Sequence, residues 1–194
     1  MPSIVLASAS PRRSQLLGDL GVAFTVAPSA AIEPPPTQAD RENPGAYVET
    51  LARLKGQSDG TDSIFIGADT VVVIDNDILG KPKSEEEARA MLARSRGRTH
   101  RVYTGVSVSQ GEKCFSTHRI TEVTFGKFSD AFIAKYVATG EPMDKAGAYA
   151  AQGKGALLIE KIEGDYFNVV GLPLFALGQL LREFGVEIEE YWAE

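Results

Sequence analysis

Short apolar runs alternate along this chain with segments whose apolar residues recur at helical spacing. The runs predict strands at 3–7, 64–68, 71–74, 101–108, 113–117, 120–125 and 156–162. Helices are predicted to open at five cap residues or prolines: Ser10, Asn43, Ser84, Ser129 and Pro173. Strands that alternate with helices in this way are typical of the α/β class.

Two local patterns refine these elements. Asn76-Asp77 predicts a tight turn between the strand that ends at 74 and a short strand at 78–79. Ser84 and Glu87 have the spacing of a capping box, in which each side chain accepts a hydrogen bond from the other residue's backbone N–H.

One predicted strand region contains a polar interruption. The pair Asp69-Thr70 separates two apolar runs, and a carboxylate in such a setting must be paired, metal-bound or exposed at a break. Gly67 permits a bulge that would turn the Asp69 side chain toward a cleft. There Asp69 could bind a hard cation or take a proton from water. The alternative is an aspartate in a plain turn between two short strands.

Length and charge narrow the range of functions. The 194 residues predict a single domain, 1–194, and 43% hydrophobic residues are enough for a buried core. The formal net charge of -6 argues against a nucleic-acid polymer as partner, because binding a polyanion requires a broad surplus of Lys and Arg. A small phosphorylated ligand stays compatible with this charge, since a few cations suffice to hold it.

Other patterns indicate where the protein works. Cys114 is the only cysteine, which is typical of a reducing compartment and excludes a cysteine-based metal site. The chain has neither a secretory signal nor a run of about 18 apolar residues, so we expect a soluble cytoplasmic protein without membrane contact. A dinucleotide motif is missing, and Gly155 stands where a P-loop requires Ser or Thr.

Two arginines occupy an unusual position. Arg12 and Arg13 lie in the first turn of the helix that Ser10 opens, where the helix dipole is positive and disfavours cations. A bound anion would reverse this effect, because free backbone N–H groups and both guanidinium groups could hold one phosphate. Two solvated arginines are the alternative.

Further candidates are weaker when taken alone. The segment 144–153 is rich in Gly and Ala beside Lys, Tyr and Gln, which suits either a ligand loop or an ordinary connector. We expect His100 and His118 to be structural or surface residues.

Together these segments resemble the Maf family of nucleoside triphosphate pyrophosphatases over almost the whole chain. The motifs that carry the resemblance are Ser-Ala-Ser-Pro-Arg-Arg at 8–13, Leu-Ala-Arg-Leu-Lys at 51–55, Gly-Ala-Asp-Thr at 67–70, Gly-Lys-Pro at 80–82, Thr-Gly-Val at 104–106, Asp-Lys-Ala-Gly at 144–147 and Val-Gly-Leu-Pro at 170–173. The resemblance implies an elongated, two-lobed α/β fold with a mixed sheet, like that of the inosine triphosphate pyrophosphatases. It also implies hydrolysis of a nucleoside triphosphate to the monophosphate and pyrophosphate with a divalent metal, Mg²⁺ or Mn²⁺.

The resemblance also implies roles for single residues. Asp69 would be the catalytic base, and Glu33 and Asp69 would lie near the metal. The phosphates would be held by Ser8, Arg12, Arg13, Lys55 and Lys81. The chain departs from the family in having three prolines after Glu33.

Base choice is expected to depend on Arg12, Thr70 and Gln152, which match the family branch that acts on dTTP and UTP. A Gln amide can donate and accept hydrogen bonds at once, as a thymine or uracil edge requires. The resemblance further implies a homodimer. A non-catalytic, nucleotide-binding regulator of septum formation is the alternative function, although such a role would not require the base Asp69.

Overall fold

The structure, a computed structural model, describes residues 2–57, 60 and 62–192. In these residues the strands form one mixed sheet with the order β2-β1-β3-β5-β6-β7, and β4 pairs with β3. The strands are β1 Ser3–Leu6, β2 Thr25–Val26, β3 Ser63–Ile74, β4 Asp77–Leu79, β5 Thr99–Gln110, β6 Lys113–Phe125 and β7 Ile159–Glu163. β1 is parallel to β2 and β3, and the other pairs are antiparallel. The predicted α/β class with a mixed sheet is confirmed.

Helices cover both faces of this sheet. They are α1 Pro11–Asp19, α2 Gln38–Glu42, α3 Pro44–Lys55, α4 Glu85–Ser95, α5 Asp130–Val137, α6 Tyr166–Val170 and α7 Leu174–Arg182. Short 3₁₀ helices occupy Glu141–Asp144, Ala146–Ala148, Gly153–Leu158 and Ile188–Trp192. None of the helices in the described ranges is long and apolar enough to cross a bilayer.

Side chains of β3 contact three hydrophobic clusters. On one face of the sheet, Ile64 and Ile66 near the start of β3 pack with α1 and α7, and Val72 and Ile74 near its end pack with α4 and α5. Val71 points to the opposite face, where it contacts a third cluster on α3. The two end clusters form the two lobes, and the middle of β3 runs between them. The single-domain prediction for 1–194 stays a prediction.

The predicted break in β3 is wrong. Pairing with β5 runs without a register shift from Phe65 to Val73, so β3 is continuous through Asp69. Gly67 serves close packing, because a Cβ there would lie 2.1 Å from the carbonyl oxygen of Ala52 in α3. A Cβ at Gly105 would likewise lie 2.2 Å from a carbonyl oxygen of α3. These two glycines let α3 lie directly on the sheet.

Four smaller expectations also need correction. β6 is continuous where a break between 117 and 120 was expected, since it pairs with β5 along its whole length. The hairpin turn lies one residue earlier than expected, with left-handed φ at Asp75 and Asn76. Residues 153–158 are 3₁₀ helix, so the strand expected at 156–162 begins only at Ile159. The Ser84 capping box is half formed, because the Glu87 carboxylate accepts from the N–H of Lys83 instead.

Candidate functional site

A cavity of about 840 Å³ opens beside a gap along one edge of β3. On this edge β1 pairs with residues 63–66 and β4 pairs with residues 72–74, which leaves 67–71 without a strand partner there. All the site residues expected from the sequence line this one cavity: Ser8, Arg12, Arg13, Glu33, Lys55, Asp69, Thr70, Lys81 and Gln152. The segments that carry them are far apart in the chain, and the fold brings them together.

Two carboxylates share one ammonium group in this cavity. The Nζ atom of Lys55 lies 2.5 Å from Oδ1 of Asp69 and 2.8 Å from Oε1 of Glu33. The Asp69 side chain is only 9% exposed, whereas that of Glu33 is half exposed. The close approach of α3 to β3 produces this arrangement, because Lys55 ends the helix directly above Asp69. A buried aspartate is therefore held beside a cation at the cavity wall.

The proline loop after Glu33 has a defined anchor. The hydroxyl of Tyr47 donates a 3.0 Å hydrogen bond to the carbonyl oxygen of Pro34. Arg41 of α2 forms a 2.5 Å ion pair with Asp77 at the start of β4. Tyr47 and Arg41 also line the cavity, and neither was expected as a site residue from the sequence. The helical spacing of Tyr47 indicated only a core position, and the sequence carries no signal for Arg41.

Arg13 fills the gap along the edge of β3. Its guanidinium donates to the carbonyl oxygens of Ala68 at 2.7 Å and Gly171 at 2.8 Å, and to the hydroxyls of Ser8 and Thr70 at 3.3 and 3.1 Å. Four of its five N–H groups are thus used within the protein. Burial lowers the pKa of the Arg13 guanidinium from its ordinary value, and nearby Asp69 opposes that shift. Arg13 therefore keeps one unused N–H group, and its role in holding a phosphate stays a prediction.

Thr70 belongs to the same hydrogen-bonded network. The Thr104 hydroxyl donates to the carbonyl oxygen of Asn168 at 2.8 Å and lies 3.0 Å from the Thr70 hydroxyl. Because a hydroxyl has one proton, Thr70 must donate to Thr104 while it accepts from Arg13. Ser8 accepts from Arg13 and from the N–H of Ser10, and its own proton has no acceptor among the described residues. Ser8 can therefore still donate to a ligand.

Three other cavity residues have no internal partner. The side chains of Arg12, Lys81 and Gln152 line the cavity and form no hydrogen bond or ion pair with another described residue. Ser10 occupies the N-cap position of α1 but forms no side-chain cap, so the backbone N–H groups of the first turn also stay available. These donors and charges are suited to a polyphosphate, which offers many oxygen acceptors.

Neither histidine belongs to the cavity, as expected. His100 is buried, and burial lowers its pKa from 6.5 to about 4. Its Nε2 lies 2.8 Å from the Tyr149 hydroxyl. His118 lies on β6, and its Nδ1 is 2.6 Å from Oε1 of Glu49 in α3. Both histidines therefore connect structural elements.

The donor set at Asp69 and Glu33 suits a hard cation such as Mg²⁺ or Mn²⁺, which prefers carboxylate oxygens. Among the described residues, no three or more His, Cys, Asp or Glu side chains form a group that could hold a metal ion by itself. The two carboxylates would supply only part of a coordination shell, and phosphate oxygens and water would have to complete it.

Comparison with known proteins gives consistent matches. The family described as Maf-like protein matches residues 3–184. A protein of Moorella thermoacetica named dTTP/UTP pyrophosphatase is 51% identical over 97% of this chain and 98% of its own length. Proteins with the same name from Dictyoglomus turgidum and Symbiobacterium thermophilum are 49% and 46% identical, and at least 95% of each chain is covered.

Proposed function

The chain belongs to the Maf-like protein family, and from this premise we propose that it hydrolyses dTTP and UTP to the nucleoside monophosphate and pyrophosphate. The observation that carries the proposal is the cavity itself. It combines a buried, lysine-paired Asp69 with the unpartnered cations Arg12 and Lys81. The relatives named dTTP/UTP pyrophosphatase match nearly the whole length of the chain, which supports the same substrate class.

The triphosphate is held by donors from separate elements. Arg12 and the free N–H groups of α1 reach it from one lobe, and Lys81 reaches it from the segment after β4. The Ser8 proton adds a hydroxyl donor between them. Charges that converge in this way make a positive pocket on an acidic protein and stabilise negative charge on the departing pyrophosphate. Arg13 adds charge and one remaining N–H, while its other donors fix the cavity wall.

We propose that Glu33 and Asp69 would help to hold a divalent cation, Mg²⁺ or Mn²⁺. When bound, such an ion polarises the phosphate oxygens and offsets their charge. Lys55 lies between the two carboxylates in this structure. The family resemblance would assign Lys55 to the phosphates as well, and this role stays a proposal.

Asp69 is proposed to orient the attacking water and take its proton. Its side chain is anchored on a continuous strand, which fixes the carboxylate more firmly than a loop would. The Lys55 ammonium group pairs with this carboxylate and holds it at the cavity wall.

Base choice is proposed to rest on Gln152. Replacing Gln152 with Glu removes the NH₂ donor that meets a pyrimidine carbonyl and sets a negative charge against that oxygen. We expect kcat/KM for dTTP and UTP to fall about ten- to a hundredfold, the usual consequence of an unpaired buried polar group. Activity toward 7-methyl-GTP should fall less or rise, because its cationic base presents adjacent N–H donors that suit a carboxylate. Equal losses on all triphosphates would remove Gln152 from base recognition.

The decisive assay is pyrophosphate release from a panel of dTTP, UTP, dCTP, dGTP and 7-methyl-GTP with Mg²⁺ or Mn²⁺. Preferential release from dTTP and UTP is expected. Tight nucleotide binding without turnover of any member would favour the non-catalytic regulator. The homodimer and the cytoplasmic location stay predictions, and light scattering on the purified protein tests the first.

A further inference from the structure

A hydrogen-bonded pair behind the cavity holds the segment that carries Gln152. The hydroxyl of Tyr136, near the end of α5, donates to Oε1 of Glu141 at 3.0 Å. The same hydroxyl accepts from the N–H of Ala150 at 3.2 Å. The Glu141 carboxylate in turn accepts from the N–H groups of Lys154 at 3.1 Å and Gly155 at 2.8 Å. The backbone is thereby held two residues before Gln152 and two residues after it.

The chain is built closely around this pair. A Cβ at Gly155 would lie 2.5 Å from the Tyr136 hydroxyl and 2.4 Å from the carbonyl oxygen of Ala150. Gly153 has φ +70°, and a Cβ there would lie 2.9 Å from Oε2 of Glu141. Glycine is needed at both positions because a side chain would displace the pair. The sequence Gly153-Lys154-Gly155, which only superficially resembles a P-loop, thus has a structural purpose of its own.

The pair itself stays out of the cavity. Ala150, Ala151 and Gln152 line the cavity, whereas Tyr136 and Glu141 lie behind them. The Gln152 side chain has no hydrogen-bond partner among the described residues, so its position depends on the backbone that carries it. An amide must stand within a few tenths of an ångström of its place to read a base edge.

We propose that Tyr136 and Glu141 are positioning residues that set the place of the Gln152 amide and thereby determine the selectivity for pyrimidine triphosphates. This inference rests on the proposed function, because it requires Gln152 to contact the base. Neither residue touches the substrate. Their effect is transmitted through the N–H groups at positions 150, 154 and 155.

A double-mutant cycle tests the proposal. Tyr136→Phe removes one hydroxyl and keeps the ring, Glu141→Gln keeps the size but loses an acceptor oxygen, and Gln152→Ala removes the amide. The measurement is kcat and KM for dTTP and for dGTP in each single variant and in Tyr136→Phe/Gln152→Ala. The matched control is Ser129→Ala. It removes the hydroxyl that accepts a hydrogen bond from the N–H of Phe132 at the start of α5.

Tyr136→Phe and Glu141→Gln should lower kcat/KM for dTTP about three- to tenfold, mainly through KM, and lower the preference over dGTP by the same factor. In the background of Gln152→Ala, Tyr136→Phe should change selectivity no further, because coupled residues are not additive. Ser129→Ala should leave the preference unchanged. Hydrogen exchange at amides 150, 154 and 155 should be faster in Tyr136→Phe.

Equal losses on both nucleotides, or effects of Tyr136→Phe and Gln152→Ala that simply multiply, would overturn the positioning role while the proposed function stands. A wild-type protein that hydrolyses no triphosphate would overturn the proposed function and this inference with it. A Gln152→Ala variant with unchanged preference would overturn the assignment of Gln152 to base recognition, and this inference as well.

Discussion

The cavity contains two kinds of site residue that differ in how they are held before any ligand binds. The first kind, here called the internal cluster, has partners within the protein. Arg13 hydrogen-bonds to Ser8, Thr70 and backbone carbonyls, and Lys55 pairs with Asp69 and Glu33. Arg12, Lys81 and Gln152, here called the open set, contact the same cavity without any partner among the described residues. The internal cluster is part of the fold, whereas the open set is left for a ligand.

Neighbouring residues of one sequence motif can therefore have different roles. Arg12 and Arg13 are adjacent in one helical turn, yet one is free and the other ties β3 to the segment after α6. In the internal cluster, Lys55 fixes the position of the Asp69 carboxylate, and disturbing the hydrogen bonds of this cluster is expected to lower stability. The open set is proposed to supply charge and hydrogen bonds to a bound nucleotide.

The largest expected effect concerns Asp69. Asp69→Asn is nearly isosteric but removes the base and one negative charge, so turnover of dTTP should fall by a factor of about 10² or more. Steady-state kinetics on the purified variant measure the loss, and circular dichroism verifies the fold. A variant that retains near-wild-type turnover would show that Asp69 is not the base.

The next largest effect is expected for the stability of Arg13→Ala, and the adjacent Arg12→Ala is its matched comparison. Arg13→Ala leaves the buried carbonyl oxygens of Ala68 and Gly171 without donors, and should lower the free energy of unfolding without ligand by about 3 kcal/mol. Arg12→Ala should change this free energy by less than about 0.5 kcal/mol, as is usual for a side chain without partners. It should weaken triphosphate binding instead.

Urea unfolding without ligand and nucleotide titration measure the two effects separately. An Arg13→Ala variant as stable as the wild type would contradict the assignment of Arg13 to the internal cluster. A stability loss in Arg12→Ala would show that the open set is part of the fold as well.

A smaller effect is expected from pH. Burial lowers the pKa of His100 from 6.5 to about 4 in the folded protein, so the unfolded chain binds the proton more readily between these values. Stability should therefore fall as the pH decreases from 6.5 toward 4, by about 2 kcal/mol between pH 7 and pH 5. His100 contacts Tyr149, which lies three residues before Gln152, so acid should also loosen the segment that carries Gln152.

Urea unfolding of the wild type and of His100→Gln at pH 7 and pH 5 checks this expectation. The decrease between the two pH values should be largely lost in His100→Gln. A variant with the same pH dependence as the wild type would assign the effect to other groups.

The sequence predicted which residues line the cavity better than it predicted the hydrogen bonds among them. Motif resemblance placed the site residues in one cavity, and the family assignment from those motifs is confirmed. The break expected at Asp69 was wrong, because the polarity of Asp69-Thr70 reflects an open strand edge and not the end of a strand. The partners of Arg13 on β3 and at Gly171 come from distant segments, and no local pattern indicates such contacts. The short helices α2 and α6 were missed because neither is long enough to show a helical period.

We expect this cavity to cleave a pyrimidine triphosphate between the α- and β-phosphates. Phosphorus NMR of dTTP incubated with the purified protein and Mg²⁺ tests it most directly. The products dTMP and pyrophosphate should accumulate in equal amounts, and Asp69→Asn should abolish both signals under the same conditions. Accumulation of dTDP and inorganic phosphate, or unchanged cleavage by Asp69→Asn, would contradict it.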